Sequence, residues 1–467
     1  MIVKNKTMLI NSDSIFKDDA LDRKVLIEDL SEIISSTYEP LVFALNAPWG
    51  TGKTTFVKMW KSYLKTNKKI NSLYFSAWED DFSNEPLIAI LGELNSYISE
   101  NFSSSSDIED KFDNAINVGG KILKRGLPAF IKGMTGGILD VDSGYEAAIG
   151  AMTEETTKAL IQQYSKEKEL TTKFKETMNE LLNTMDKEKP FIIFIDELDR
   201  CRPLYAIELL ERIKHLFGID NLIFILSIDK LQLSESIKSQ YGNIDTNNYL
   251  RRFIDIEYKL QKGNIEKYCE VLYKQFDLEG ILKSKEIKLE FGDFDHLNTL
   301  KRLVKVFDTS LRELEQIFLK LNIIFKTIQP RLYETHFRVF VFLEMLKSYD
   351  TNLYYEAIKG NSKEKLREIF FQYKTSEYRD ISIVFDTIID AIGLDDEQYN
   401  VLIKDLEEKL QKNQDTSSND YRRLDWHINI LKHSPSGTFG DYRLNKAIET
   451  VIKKLEFTDR FVFDSAS

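Results

Sequence analysis

The segment FALNAPWGTGKTTFVKMW, residues 43 to 60, restricts the possible folds of this chain more than any other stretch of its sequence. The apolar run LVFAL at 41 to 45 is typical of a buried strand, and the apolar spacing in TTFVKMWKSYLK predicts an amphipathic helix. Between them lies a turn in which Gly50 and Gly52 come just before Lys53. The order of strand, glycine turn and helix is the context that a phosphate-binding loop requires.

One position departs from the usual phosphate-loop pattern. Glycine is expected five residues before the Gly-Lys pair, and this chain has Ala47 there. Because Pro48 follows, its ring biases Ala47 toward extended backbone, where an alanine fits without strain. We therefore predict a working phosphate site, and the alternative is a chance G-x-G-K-T match on a surface turn.

The loop residues have distinct expected roles. Main-chain N–H groups at a helix N-terminus attract anions, and glycine lets the backbone approach them closely. Lys53 would contact the β- and γ-phosphates, the Thr54 hydroxyl would ligate Mg²⁺, and Thr55 would bond nearby backbone or the α-phosphate. The full predicted set of nucleotide contacts in the loop is Pro48, Trp49, Gly50, Thr51, Gly52, Lys53, Thr54 and Thr55.

A second candidate group ends the apolar run PFIIFIDELDR at 190 to 200. Asp196 closes a predicted buried strand, and an acid at the carboxyl end of a parallel strand lies where ligands bind. It can hold Mg²⁺ opposite Thr54, and Glu197 can act as general base toward a water molecule. Asp199 and Arg200 are either part of this site or an acid at a helix start paired with a neighbouring base.

Four further residues have two interpretations each. Asp229 ends the predicted strand NLIFILSID and would either sense the γ-phosphate or cap the next helix. Arg251 and Arg252 would either reach a neighbouring subunit's nucleotide as catalytic arginine fingers or form a surface charge pair. Arg312, in TSLRELEQ, would either contact phosphate as a sensor or form an ordinary helix salt bridge.

The order of the remaining segments predicts an α/β fold followed by helices. The patterns predict a helix over 18 to 37, a strand over 72 to 77 and a fifth strand within 249 to 260. Strands that alternate with helices in this way favour a parallel sheet covered on both faces. We predict a nucleotide-binding domain over residues 1 to 265, with a helical, glycine-rich insertion at about 98 to 188. Residues 266 to 467 would form a mostly helical domain that acts as a lid or binds a partner.

Composition excludes several classes of protein and site. The formal net charge of -11 argues against a protein that coats nucleic acid. Two cysteines in 467 residues exclude a disulfide framework and a four-cysteine zinc site. No apolar run approaches the length of a bilayer span, so we expect a soluble, cytoplasmic protein. The segment 117 to 151, glycine-rich with a basic patch, is expected to be a surface insertion or a weak membrane contact.

Several separated motifs together resemble one family. They are ALNAPWGTGKTTF, FSAWEDD at 75 to 81, FIIFIDELDRCRP at 191 to 203, FILSIDK at 224 to 230 and YLRRFIDIEYKL at 249 to 260. Residues 10 to 265 in this order resemble the KAP family of P-loop NTPases. The resemblance implies an AAA-like parallel sheet of the ASCE class, bound ATP and Mg²⁺, and Glu197 as the catalytic glutamate. No guanine-reading NKxD motif follows the acidic strand, which favours ATP over GTP.

The resemblance also implies a role. Bacterial relatives look like phage-exclusion or phage-defence proteins, often encoded beside a separate effector. We therefore expect an ATPase that is a switch or homo-oligomeric scaffold and acts on a protein partner. The alternatives are an ATPase motor or clamp stimulated by nucleic acid, a small-molecule kinase, and a membrane-associated signalling ATPase working through 117 to 151.

Overall fold

The computed structural model describes residues 15–17, 19–83, 85–124, 154–284, 295–327, 334–371, 379–413, 415–416, 418–432 and 443–460. These residues belong to two compact units, one within Met8–Lys262 and the other within Gly263–Ser467. None of the helices described by the structure combines the length and the apolar character needed to cross a bilayer. Of the segment 117 to 151, residues 117–124 are helical and the others lie outside the described residues.

A five-stranded parallel sheet forms the centre of the first unit, as the alternating strands and helices predicted. Its order is β2-β3-β4-β1-β5. The strands are β1 (Leu41–Asn46), β2 (Ser72–Ser76), β3 (Phe191–Asp196), β4 (Leu222–Ile228) and β5 (Ile256–Lys259).

The apolar sequence of the central strands follows from burial on both faces of the sheet. Every residue of β3 and β4 is buried. Alternate residues of a strand point to opposite faces. In β3, Ile193 and Ile195 join one apolar cluster, while Ile192 and Phe194 join another. A strand covered in this way has no exposed face, so a continuous apolar run is expected.

Helices cover both faces. Those of the first unit are α1 (Lys24–Ser35), α2 (Lys53–Tyr63), α3 (Pro86–Asn101), α4 (Ser106–Lys124), α5 (Glu154–Met185), α6 (Pro203–Leu216), α7 (Lys230–Tyr241) and α8 (Thr246–Leu250). A π-helical turn, Leu64–Lys68, extends α2. Helices α4 and α5 pack against each other and contribute residues such as Phe112 and Phe174 to one of the two clusters.

The helix predicted over 18 to 37 begins later than expected. It starts at Lys24 and ends at Ser35, so the prediction was wrong for residues 19 to 23 and for residues 36 and 37. The Asp19 carboxylate accepts hydrogen bonds from the main-chain N–H groups of Leu21, Arg23 and Lys24 at 3.2, 2.6 and 3.1 Å. Asp22 has a φ of 55°, which is incompatible with an α-helix. Local side-chain bonds of aspartate compete with the helix ladder in this way.

The second unit is helical in its described residues. Its helices are α9 (Ile265–Gln275), α10 (Leu278–Ser284), α11 (His296–Val306), α12 (Leu311–Thr327), α13 (Glu334–Tyr349), α14 (Thr351–Ala357), α15 (Lys363–Phe371), α16 (Arg379–Ala391), α17 (Asp396–Lys412), α18 (Asn419–Lys432) and α19 (Leu444–Thr458). They share one apolar core. Helix α13 lies at its centre, with buried residues on all sides of the helix.

Candidate phosphate-binding site

The sheet order brings the glycine loop and the acidic strand to the same edge. Strand β4 lies between β1 and β3, and all three run parallel. The loop leaves the carboxyl end of β1 after Asn46, and Asp196 is the last residue of β3. The carboxyl edge of a parallel sheet is where such folds bind ligands.

The backbone of the loop depends on its two glycines. Gly50 and Gly52 have φ angles of 75° and 81°, in the left-handed region that side chains rarely adopt. Gly52 is the N-cap of α2. Ala47 is buried, does not have a positive φ, and donates its N–H to the carbonyl of Ile228 at 3.1 Å. An alanine therefore fits this position without backbone strain, as predicted.

Lys53 lies buried at the first residue of α2. Its Nζ donates to the carbonyl oxygens of Ala47 at 2.6 Å and Pro48 at 3.3 Å. The Thr51 hydroxyl also donates to Pro48, at 2.8 Å. Burial lowers the pKa of the Lys53 ammonium, and the nearby carboxylates, of which Asp199 is the strongest, act in the opposite direction. These bonds hold the Lys53 side chain across the loop, where it would contact phosphate.

Asp196 is almost fully buried at the end of β3. Its Oδ2 accepts from the Tyr74 hydroxyl at 3.1 Å, and its Oδ1 accepts from the main-chain N–H of Glu197 at 3.1 Å. Burial raises the pKa of the Tyr74 hydroxyl, and the negative charge of Asp196 raises it further. The hydroxyl therefore stays protonated and can donate. Each carboxylate oxygen keeps a second lone pair for a cation or a water molecule.

Glu197 has an unusual backbone and two side-chain partners. Its φ of 62° and ψ of 23° are left-handed, which costs a non-glycine residue on the order of 1 kcal/mol or more and is frequent at functional sites. Arg200 Nη1 lies 2.5 Å from Oε1, and the Ser76 hydroxyl donates to Oε2 at 3.3 Å. Burial raises the pKa of the Glu197 carboxyl, while Arg200 opposes that change.

Asp229 caps a helix and also contacts the glycine loop. Its Oδ1 caps α7 by accepting from the N–H groups of Leu231 at 3.1 Å and Gln232 at 3.3 Å. Its Oδ2 accepts from the main-chain N–H of Trp49 in the loop, at 3.2 Å. The helix-cap interpretation is therefore confirmed. Because the same carboxylate also contacts the loop, a role toward phosphate stays a prediction.

Asp199 and Trp49 form a contact that the sequence did not predict. The indole N–H of Trp49 donates to Asp199 Oδ2. Asp199 lies in the short 3₁₀ turn Leu198–Arg200 that follows β3. The two residues are 150 positions apart, so only the sheet order brings them together.

The aromatic-rich motif at 75 to 81 contacts the acidic motif through an ion pair. Arg202 donates from its main-chain N–H to Asp81 Oδ2 at 2.8 Å and from Nε to Oδ1 at 2.6 Å. In the same region the Arg200 guanidinium lies 5.8 Å from the centre of the Trp78 ring, a cation–π distance. These contacts fix the turn after β2 beside the turn after β3.

A third polar network joins β1, β4 and β5. Asn46 donates from Nδ2 to Glu257 Oε1 at 2.8 Å and accepts from the main-chain N–H of Lys230 at 3.0 Å. Lys230 Nζ lies 2.6 Å from Glu257 Oε2. Burial favours a higher pKa for Glu257, but the bonds from Lys230 and Asn46 outweigh it and lower the pKa.

The remaining predicted residues fall in three places. Thr54 and Thr55 lie in the first turn of α2, directly after Lys53. Arg251 and Arg252 are exposed in the turn between α8 and β5, because β5 occupies only the end of the run 249 to 260. Arg312 lies at the start of α12 in the second unit. The catalytic or sensor roles of these arginines stay predictions.

Tyr74 and Ser76, which contact the two acids, were missed by sequence reasoning. They lie on β2, and the pairing of β2 with β3 sets Ser76 directly beside Asp196. Their polarity at alternate positions of an otherwise apolar strand was the available signal. It could be used only if β2 was known to neighbour β3.

The residues at this edge fit a magnesium ion bound together with a nucleotide. Mg²⁺ prefers oxygen ligands and commonly takes one or two protein oxygens beside phosphate. The Asp196 carboxylate, with a free lone pair on each oxygen, and the Thr54 hydroxyl are of that kind. Within the described ranges, no group of three or more His, Cys, Asp or Glu side chains could hold a metal. Phosphate oxygens and water molecules would complete the coordination.

Comparison with solved structures gives only distant likeness. The ORC2 protein of Aeropyrum pernix, in its ADPNP–ADP complexes, is 13% identical, with 94% of this chain and 95% of that chain covered and a TM-score of 0.33. PCH-2 of C. elegans is 13% identical, with coverage of 74% and 71% and a TM-score of 0.28. Scores this low support no conclusion about this chain. No curated protein sequence is similar to it.

A family model described as the KAP family P-loop domain matches residues 23–328, about two thirds of the chain. The match spans the glycine loop, the acidic strand and the capping Asp229. It agrees with the parallel sheet and with the loop geometry at its carboxyl edge. The chain therefore belongs to the KAP family of P-loop NTPases.

Proposed function

We propose that this protein binds ATP with Mg²⁺ at the carboxyl edge of its sheet and hydrolyses it. The observation that carries the proposal is the convergence of three groups at that edge. They are the positive-φ glycine loop, the buried Lys53 at the start of α2, and the acid pair Asp196–Glu197 at the end of β3. A nucleotide triphosphate is the ligand class that needs all three.

The loop would bind the phosphates with groups already in position. Lys53 has three N–H donors and uses two on the carbonyls of Ala47 and Pro48, so a donor remains for a phosphate oxygen. The main-chain N–H groups at the start of α2 add the partial positive charge of the helix terminus. Thr54 and Asp196 would hold Mg²⁺, which, when bound, neutralises phosphate charge.

Glu197 is the candidate general base. Its carboxylate accepts one bond on each oxygen, from Arg200 and Ser76, so a second lone pair on either oxygen can accept a proton from water. Its raised pKa strengthens it as a base relative to an exposed glutamate, provided that it remains ionised. The side chains around it keep the carboxylate at the carboxyl edge of the sheet.

The biological role that we propose is an ATP-dependent switch or scaffold in bacterial antiphage defence. It would act through a protein effector encoded nearby and as a homo-oligomer, with Arg251 and Arg252 contributing to a neighbouring copy's site. The support is the motif resemblance described above, together with the family membership. The exposed position of both arginines is compatible with a contact in trans.

Steady-state ATP turnover by the purified chain tests the proposal. The Lys53→Ala variant is the negative control. Its affinity for nucleotide should be lower by roughly 100-fold or more, since the buried lysine charge that would contact the phosphates is removed. Lys65→Ala, an exposed lysine of the π-helical turn, is the matched control. Equal turnover by wild type and Lys53→Ala would contradict the site.

Two additions to this assay separate the alternative functions. Turnover that rises with added DNA or RNA, and only when Lys53 is present, would favour a nucleic-acid motor over a switch. For the defence role, phage plating efficiency is compared between bacteria carrying the gene with its neighbours and bacteria carrying the Lys53→Ala version. Equal plating on both would contradict an ATP-dependent defence function.

A further inference from the structure

Trp49, in the middle of the phosphate loop, is held by acids from the ends of two neighbouring strands. Its main-chain N–H donates to Asp229 at the end of β4, and its indole N–H donates to Asp199 in the turn after β3. The Trp49 side chain is nevertheless 46% exposed. The contact with Asp199 is therefore not a consequence of packing a tryptophan into an apolar core.

The Asp199 carboxylate has no part in capping the segment around it. Glu197 is the N-cap of the 3₁₀ turn and Arg202 is the N-cap of α6, and neither N-terminus has a side-chain cap bond. Asp199 is only 8% exposed, and burial raises its pKa while the bond from Trp49 opposes that change. Burying a carboxylate costs free energy unless it is hydrogen-bonded. Its side-chain hydrogen-bond partner is the Trp49 indole, and the Lys53 charge and the main-chain N–H groups of Asp199 and Asp229 also favour the ionised carboxylate. The bond from Trp49 therefore offsets part of the cost, and it is the part that depends on the position of the loop.

The side-chain bonds of Thr51 and Lys53 differ from the Trp49–Asp199 bond in what they connect. Thr51 and Lys53 bond carbonyls of the loop itself, so they shape it without fixing it to the sheet. Asp229 and Asp199 connect Trp49 to the ends of β4 and β3. Strand β3 also ends in Asp196, which pairs with Ser227 of β4.

We infer that Asp199 is a positioning residue for nucleotide binding, and that it acts through the indole N–H of Trp49. By fixing the middle of the loop to the strand that ends in Asp196, it sets the loop's N–H groups relative to the acids. A loop ordered before the ligand arrives loses less conformational freedom on binding, so its affinity is higher. This inference rests on the proposed function, because it assigns the contact to nucleotide affinity.

The test is calorimetric binding of a slowly hydrolysed ATP analogue, with Mg²⁺ and again with EDTA. Trp49→Phe keeps the ring and removes the donor, and Asp199→Ala removes the acceptor. Each should weaken binding by roughly tenfold under both conditions, since a bond to a charged group is lost. The double variant, Trp49→Phe with Asp199→Ala, should bind the analogue no more weakly than the single variant with the lower affinity. Asp199→Asn keeps a carbonyl acceptor and should stay within about twofold of wild type.

Trp426→Phe is the matched control. Trp426 is half-buried on α18 and belongs to the helical unit rather than to the loop, so its replacement should leave affinity unchanged. Thermal unfolding of every variant separates a loss of folding from a loss of affinity. If Asp199→Ala does not fold, Trp49→Phe and Asp199→Asn still decide the question.

Three results would overturn the inference. The first is wild-type affinity in Trp49→Phe, and the second is losses that add in the double variant. The third is an Asp199→Asn defect as large as that of Asp199→Ala and seen only with Mg²⁺, which would make Asp199 a metal ligand. Absence of nucleotide binding by the folded wild type would instead contradict the proposed function itself, and the inference with it.

Discussion

The buried charges of the two units are arranged differently. In the first unit, the carboxylates of Asp199 and Asp229 converge on one residue of one loop, and Asp196 lies at the same edge. In the described part of the helical unit, the buried acids Glu334 and Glu344 each bond a cationic side chain of the same unit. Glu344 is 1% exposed and bonds Lys320 at 2.5 Å, and Glu334 bonds Arg338 one turn along the same helix.

We expect this difference to separate buried charges that serve a ligand from those that stabilise the fold. A carboxylate closed into a pair has its charge compensated within the fold, so its removal should change stability. Carboxylates that share a loop with one lysine leave excess negative charge around it, which a bound cation can compensate. Their removal should change binding or catalysis more than stability.

The largest effect is expected for Glu197→Gln compared with Glu344→Gln. Removing the proposed general base should lower ATP turnover by roughly 100- to 10,000-fold while ATP still binds, because only the proton acceptor is lost. Glu344→Gln should leave turnover of the folded protein unchanged and lower the free energy of unfolding by on the order of 2 kcal/mol, since Lys320 loses its ionic partner. Turnover and chemical denaturation measure the two. A stability loss in the first variant without a loss of turnover would reverse the assignment.

The next effect concerns packing in the helical unit. Gly393 has a φ of 73°, and a Cβ there would lie 2.1 Å from the backbone nitrogen of Gly360. Gly393→Ala combines left-handed strain with a backbone clash, so we expect a loss of about 3 kcal/mol in unfolding free energy.

Gly92→Ala is the control for that measurement. Gly92 lies within α3, and a Cβ there would have no atom within 4 Å. The alanine should stabilise the protein by up to about 1 kcal/mol, as expected inside a helix. Equal unfolding midpoints for the two variants in urea would show that Gly360 and Gly393 do not pack closely in solution.

Acid should destabilise the helical unit through His336. Burial lowers the pKa of this histidine to about 4, against 6.5 for an unperturbed side chain. Between pH 6.5 and about 4 the unfolded state binds a proton that the folded state does not, so stability falls as the pH falls. The full loss is on the order of 3 kcal/mol.

The check is urea unfolding at pH 7, 5.5 and 4.5 for wild type and His336→Gln. The glutamine variant should lose less stability between pH 7 and pH 4.5 than wild type. Half-buried His296, whose pKa is also lowered to about 4, should contribute a similar slope to both proteins. Parallel pH dependences in wild type and variant would contradict the assignment to His336.

The smallest stability effect gives the sharpest comparison between the units. Asp229 and Asp350 are both aspartate N-caps, of α7 and α14. Replacing either by alanine should cost about 1 kcal/mol of stability. Only Asp229→Ala should also weaken ATP binding, because only Asp229 also bonds the loop at Trp49. Equal ATP affinity in the two variants would show that the contact with the loop contributes nothing to binding.

The sequence determined the local part of this protein. The strand, glycine turn and helix around Lys53, the acid at the end of β3 and the left-handed positions of Gly50 and Gly52 follow from residues adjacent in the chain. Local geometry needs only steric preference and apolar spacing, so a single sequence carries it. The failure at residues 19 to 23 had a local cause too, because Asp19 hydrogen bonds compete with helix formation.

Only the tertiary structure decided which polar groups meet. The order β2-β3-β4-β1-β5 brings Tyr74 and Ser76 to the two acids and brings Asp199 to Trp49. No spacing rule links residues 150 positions apart, because strand order is set by the packing of helices on both faces of the sheet. The sequence therefore determined the parts of the site, and the order of the strands determined which of them are in contact.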